Sequence, residues 1–175
     1  MDEFTKKFLD LVWPSQTILD LGAGIGTYSE MFADRDALVT AVDKHIPNQI
    51  GDNITCVRMT AEKFITQDEH IYDGAFFRNI MQFFDKTWTF EHLFPWLGNH
   101  LKPGGVIAIE TFYQEPNPPF DHPLASLYTM QELQQYFGSW QEIYARHYEH
   151  KGSDMSGRNR QFYISDLIIR RNNDH

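Results

Sequence analysis

Short apolar runs rich in β-branched residues alternate along the chain with stretches whose apolar positions recur every three or four residues. That alternation predicts strands interleaved with amphipathic helices. Phe4, Phe8, Leu9, Leu11 and Val12 mark a first helix that must stop at Pro14, because the proline ring removes a donor and clashes with the preceding turn. Residues 17–21 read as the first strand, 27–32 as the opening of a second helix, 38–42 and 54–57 as the second and third strands. A fourth strand follows at 71–77, a helical pattern at 87–101, and a fifth strand at 105–110 behind the turn Lys102-Pro103-Gly104-Gly105. Residues 111–128 hold Pro116, Pro118, Pro119 and Pro123 and read as a long, functional loop. A short helix at 130–137 and two strands at 140–148 and 161–169 complete the pattern. Strand–helix alternation of this kind gives an α/β fold with a parallel sheet and helices on both faces. The expectation is a Rossmann-like, doubly wound, seven-stranded sheet, mostly parallel with an antiparallel C-terminal strand pair, in a single domain spanning 1–175.

Charge and composition narrow the partners. The formal net charge is −9, which argues against DNA or RNA, whose phosphates are bound by Lys and Arg. No apolar run reaches the length of a bilayer span, and residues 1–7 lack the apolar stretch of a secretory signal. A cytoplasmic protein without membrane contact, monomer or homodimer, is expected. Cys56 is the single cysteine, so no internal disulfide forms, and its apolar surroundings suit an inert buried thiol. His147 and His150 fall on opposite faces of a strand, and no metal site is expected. Asp2 and Glu3 read as ordinary solvated charge.

The stretch Ile18-Leu19-Asp20-Leu21-Gly22-Ala23-Gly24-Ile25-Gly26-Thr27 carries the most chemistry. A strand runs into alternating glycines and then into a helix, the arrangement that cradles an adenine nucleotide; by itself it is also a tight turn. A dinucleotide site wants G-x-G-x-x-G, yet Thr27 occupies the third glycine position. Asp20, two residues before Gly22, suits an ammonium better than a pyrophosphate. S-adenosylmethionine carries an ammonium and no phosphate, and Gly22, Ala23, Gly24 and Gly26 would line it. Asp43, followed by Lys44, ends the second strand where a carboxylate either accepts ribose hydroxyls or closes a turn. Thr60, Ala61 and Glu62 end the third strand, where Thr60 either meets adenine or caps the next helix.

These residues resemble the class I S-adenosylmethionine-dependent methyltransferases. Asp20 to Gly26 is similar to the family's first motif, Asp43 to the acid closing its second strand, and Thr60-Ala61-Glu62 to its adenine segment, where many members carry Asp in place of Thr60. Tyr72 to Asn79 resembles the fourth-strand motif, which implies that Arg78 and Asn79 border the cofactor. Leu101 to Gly105 resembles the turn before the fifth strand. The last third, from Leu127-Tyr128-Thr129 through Trp140, resembles the tellurite-resistance type of small-molecule methyltransferase. Its final turn differs, reading Lys151 to Arg158 without the histidine common there.

Methyl transfer from a sulfonium needs alignment and exclusion of water more than a fixed set of catalytic groups, and the sequence names no catalytic residue. Ligands in this architecture bind at the carboxyl ends of the strands. Arg78, Asn79, Gln82, Phe112, Tyr113 and Tyr128 meet that condition, while Arg158 and Arg160 either reach an anionic acceptor or only solvate their turn. Phe112 and Tyr113 either cage the sulfonium by cation–π attraction or pack the core. A methyltransferase acting on a small acceptor is the first reading. A cofactor-binding sensor without transfer is the second, and a dinucleotide oxidoreductase, disfavoured by Thr27, the third.

Overall fold

The computed structural model describes residues 1–112, 126–153 and 159–173. Seven strands among the described residues form one sheet: β1 (Thr17–Leu21), β2 (Leu38–Val42), β3 (Ile54–Val57), β4 (Tyr72–Arg78), β5 (Leu101–Phe112), β6 (Gln141–Ser153) and β7 (Asn159–Arg170), in the order β3-β2-β1-β4-β5-β7-β6. β1 to β5 pair in parallel. β7 lies antiparallel between β5 and β6. From β1 the chain winds outward to β3 and then returns past β1 to β4. This switch of direction opens a crevice at the carboxyl ends of β1 and β4, where an open α/β sheet takes its ligands.

The helices are α1 (Glu3–Leu9), α2 (Thr27–Ala33), α3 (Ala61–Ile65), α4 (Lys86–Trp88), α5 (Phe94–His100) and α6 (Met130–Tyr136). Because successive strand side chains point to opposite faces, the sheet has two cores. Leu19, Leu21, Phe77 and Ile109 pack with Phe64 of α3, Phe94 and Leu97 of α5, and Leu133 of α6. Ile18, Phe76 and Ala108 pack with Phe4 and Phe8 of α1 and Phe32 of α2. The expected helices on both faces are there. Phe76 is the anchor of the second core, with the rings of Phe4, Phe8, Tyr28 and Phe32 all centred 5.1–5.5 Å from its own. Burying one such ring contributes roughly 1.5–3 kcal/mol, so α1 and α2 are both held firmly over β4.

Three expectations need adjustment. The fourth strand runs one residue later than 71–77, bringing Arg78 into register with Glu110 and leaving Ile71 46 % exposed. The fifth strand is longer than 105–110. Leu101 already pairs with Tyr72, residues 102–105 bulge out, and pairing resumes at Val106 with Gly74. The helix expected over 87–101 runs from Lys86 to His100, but Thr89–Leu93 forms a π turn. Pro95 has no N–H to give the Glu91 carbonyl, and Thr89 Oγ1 bonds back to the Asp85 carbonyl at 3.0 Å. Among the described residues no helix is long and apolar enough to cross a membrane.

Candidate functional site

The loop between β1 and α2 is built on three glycines with positive φ: 83° at Gly22, 59° at Gly24 and 93° at Gly26. L side chains rarely adopt such angles. The space around them differs. A Cβ on Gly22 would lie 2.5 Å from Ile80, and one on Gly26 only 2.1 Å from Ile50, whereas one on Gly24 would meet nothing within 4 Å. Packing against the Ile80 side chain near its Cβ demands glycine at position 22, whereas at Gly26 the near atom is the tip of Ile50, which can turn aside, and the φ of 93° sets the demand. Gly24 faces open space at the mouth of the crevice.

Below this loop lies Asp20, 2 % exposed, with Ser29 Oγ donating to its Oδ2 at 2.6 Å. Burial, and then the charge of Asp43, push its pKa up to about 7. A carboxylate so placed lacks a cation, and an ammonium seated over the loop would supply one. Asp43, just beyond β2, accepts the Gly24 N–H at 3.1 Å and the His45 N–H at 2.8 Å. Two of its roughly four lone-pair positions are thus taken and two are left. The Gly22 and Ala23 N–H groups bond the Val42 carbonyl at 2.8 and 3.1 Å, fastening the loop to the end of β2. The structure therefore brings Asp20, Gly22, Ala23, Gly24, Gly26 and Asp43 together. Lys44 beside them is exposed. Thr60 caps α3, its side chain accepting the Lys63 N–H, so the capping alternative is realised. Ala61 is buried and Glu62 exposed in the same first turn.

At the end of β4, Asn79 is exposed and takes a left-handed φ of 53°. Gln82 lies 7 % exposed; its Nε2 donates to the Asn79 carbonyl at 2.9 Å, while its buried Oε1 has no partner among the described residues. Phe112 is half-buried at the end of β5. Tyr128 is fully buried, its hydroxyl 2.9 Å from Thr89 Oγ1, and sits within the first core. Tyr113 and Arg158 lie outside the described residues, as does the side chain of Arg160. Cys56 is half-buried in β3.

Arg78 is where the sequence reading fell short. Its Nη1 donates to Asp2 Oδ2 at 2.6 Å and Thr5 Oγ1 at 2.5 Å, its Nε donates to Glu110 Oε1 at 3.1 Å, and its guanidinium stacks 4.8 Å from the Tyr28 ring centre. Asp2 is thus not merely solvated charge. It caps α1, accepting the Thr5 N–H at 2.9 Å, and ties that helix to β4. Glu3 likewise pairs with Lys7 and Arg146. Glu110 and Asp166, 2 % and 1 % exposed, complete a polar group that sequence reasoning missed. The signal was a charged residue inside each of two apolar strands, Ile107 to Thr111 and Ile164 to Ile169.

No protein-family profile matches the chain. The strand order and the crevice loop define the fold of the class I S-adenosylmethionine-dependent methyltransferases, and solved structures of that class superpose on it. TehB from Haemophilus influenzae matches 98 % of this chain and 62 % of its own, with a TM-score of 0.79 at 15 % identity. The resemblance to the tellurite-resistance type therefore holds at the level of the fold. The 1,6-didemethyltoxoflavin-N1-methyltransferase of Burkholderia thailandensis, solved with 1,6-didemethyltoxoflavin and S-adenosylhomocysteine, matches 98 % of this chain and 79 % of its own, with a TM-score of 0.69 at 15 % identity. In sequence, the chain is 31 % identical over 130 residues to a phosphoethanolamine N-methyltransferase of Triticum aestivum. That match covers 67 % of this chain and 25 % of the wheat protein, so the chain spans about a quarter of the relative's length.

Proposed function

We propose that the chain transfers a methyl group from S-adenosylmethionine to a small-molecule acceptor. One observation carries this reading: Gly24 opens to free space directly after the strand bearing Asp20, a buried carboxylate with no cation. The donor set suits the methionine end of the cofactor, with Asp20 facing its ammonium and Gly22, Ala23, Gly24 and Gly26 giving backbone room. Asp43 takes the ribose hydroxyls on its two remaining lone-pair positions, with Lys44 beside it. Thr60, Ala61 and Glu62 border the adenine, while Arg78 and Asn79 close the site at β4. When bound, the cofactor supplies a methyl carbon already activated by a sulfonium. The protein's own task is to align the acceptor and exclude water.

On the acceptor side stand Gln82, whose Oε1 seeks a donor, and Phe112, with Tyr113, Arg158 and Arg160 completing the proposed lining, while Tyr128 packs in the first core. A small acceptor agrees with the names of the wheat relative and the Burkholderia neighbour. The net charge of −9 supports a protein that does not act on nucleic acid. Isothermal calorimetry with S-adenosylmethionine, S-adenosylhomocysteine and NAD tests the reading. Heat of binding from the first two and none from NAD is the expected result. Binding of NAD alone overturns it.

A further inference from the structure

Across the carboxyl half of the sheet, four charged residues stand in one register row. Arg78 of β4 pairs with Glu110 of β5, Glu110 with Asp166 of β7, and Asp166 with Arg146 of β6. Register partners share a face of the sheet, and residues directly opposite hold their Cβ atoms about 4.5–5.5 Å apart. The two central members are both carboxylates, and like charges so placed repel. Both are buried, and the Tyr148 hydroxyl donates to the Glu110 carboxylate, yet among the described residues Glu110 Oε2 and Asp166 Oδ1 have no hydrogen-bond partner. Tyr28 from α2 and Tyr148 from β6 face the same group, as do Asp2 and Glu3 from α1 and Tyr144 from β6. Lys7 of α1 lies over the Tyr144 ring. The row itself holds two guanidiniums and two carboxylates; with Asp2 and Glu3 added on one side and Lys7 on the other, four acids face three bases. Burial, and after it the neighbouring Glu110, push the Asp166 pKa up to about 7, and burial pushes Glu110 upward as well.

We infer that the Glu110–Asp166 pair receives the ammonium of a protonatable amine and takes its proton, so that the methyl acceptor is an amine. The inference rests on the transferase reading above and names the acceptor class of that site. An ammonium brings N–H donors to the two unpartnered oxygens. A metal ion suits the row poorly, because a guanidinium stands at each end and the described residues hold no group of three or more His, Cys, Asp or Glu fit for one. Position agrees too, since Glu110 lies near the carboxyl end of β5, the side on which such sheets bind ligands. Entry of the amine requires the contact of Arg78 with Asp2 and Thr5 to open. One N–H proton then passes to the pair, and the electrons of that bond become the nitrogen lone pair. The lone pair forms the new N–CH3 bond as the S–CH3 bond breaks, its electrons returning to sulfur. The proton leaves the pair for solvent.

The test is carboxyl-carbon NMR on protein labelled at Asp and Glu and saturated with S-adenosylhomocysteine, titrated with methylammonium chloride against sodium chloride at equal ionic strength. The Glu110 and Asp166 signals should move saturably with methylammonium and stay still with sodium. Asp166→Asn should abolish the response while keeping S-adenosylhomocysteine affinity within about threefold, a change of about 0.65 kcal/mol. Glu110→Gln is the second variant should the first fail to fold, and the wild-type titration stands without either. A wild-type protein that binds S-adenosylhomocysteine but shows no saturable response to methylammonium overturns the amine assignment. Failure to bind S-adenosylhomocysteine at all strikes the transferase reading instead.

Discussion

Asp20→Asn separates the cost of a buried charge from its use. In the ligand-free protein the Asp20 pKa stands at about 7 against an ordinary 3.8, raised mainly by burial. Between those values the folded chain holds a proton that the unfolded chain has released, so this group's contribution to stability falls as pH rises from about 4 to 7. Above pH 7 the penalty is complete. About three pKa units at 1.36 kcal/mol each put it near 4 kcal/mol. Asparagine removes the charge, and its carbonyl can still accept from Ser29 Oγ. Its NH2 group lacks a partner, which costs about 1–3 kcal/mol. The variant should therefore be more stable than wild type by roughly 1–3 kcal/mol at pH 8, read from urea unfolding. At pH 5 the gain should vanish or reverse, because wild-type Asp20 is already neutral there. Affinity for S-adenosylhomocysteine should move the other way. Losing a charge-assisted bond to the ammonium costs about 1.5–3 kcal/mol, roughly ten- to 150-fold in Kd. Wild-type affinity should itself weaken below pH 7, by up to about tenfold per unit as a proton must leave on binding. A variant equally destabilised at both pH values, with undiminished affinity, refutes the reasoning.

Three further substitutions probe the same loop. Asp43→Ala should weaken S-adenosylhomocysteine binding at least about tenfold, since each charged hydrogen bond is worth about 1.5–3 kcal/mol. It should also lower the melting temperature, because the Gly24 and His45 N–H groups lose their acceptor; intact affinity would make Asp43 a turn residue only. Gly24→Ala and Gly26→Ala should split stability from binding. The first places a methyl in open space at a left-handed backbone and should cost about 1–2 kcal/mol of stability while sharply weakening the cofactor in calorimetry. The second places alanine at a φ of 93°, beyond the left-handed well that holds Gly24 at 59°, and should lose more stability than the first. Equal melting temperatures for the two would contradict this backbone argument.

The fold was legible because its signals are local. Periodicity marks each strand, glycines mark the crevice loop, and Phe4 and Phe8 fall one turn apart on the face that meets Phe76. The boundaries that slipped did so through non-local pairing. Nothing in residues 101–105 announces that Leu101 pairs with Tyr72 before the chain bulges. Pro95 was a readable warning of the irregular helix, but nothing local announces that Thr89 meets the Tyr128 hydroxyl from a distant segment.

The same division explains the site. Asp20, the glycines and Asp43 were legible because consecutive strand ends bring them together with little help from the rest of the chain. The row Arg78–Glu110–Asp166–Arg146 was not, since it exists only once four strands from three distant stretches are in register. Each member alone reads as a strand-end or surface charge. A one-residue slip of β7 would turn Asp166 to the opposite face, into the core that holds Leu167 and Ile169. Leu167, Ile168 and Ile169 are apolar at successive positions and suit either core, so the cost of turning Asp166 into the first core is what opposes the slip. The place of one charge in a strand that is apolar on both faces therefore helps to assemble the charged row, setting one carboxylate against another.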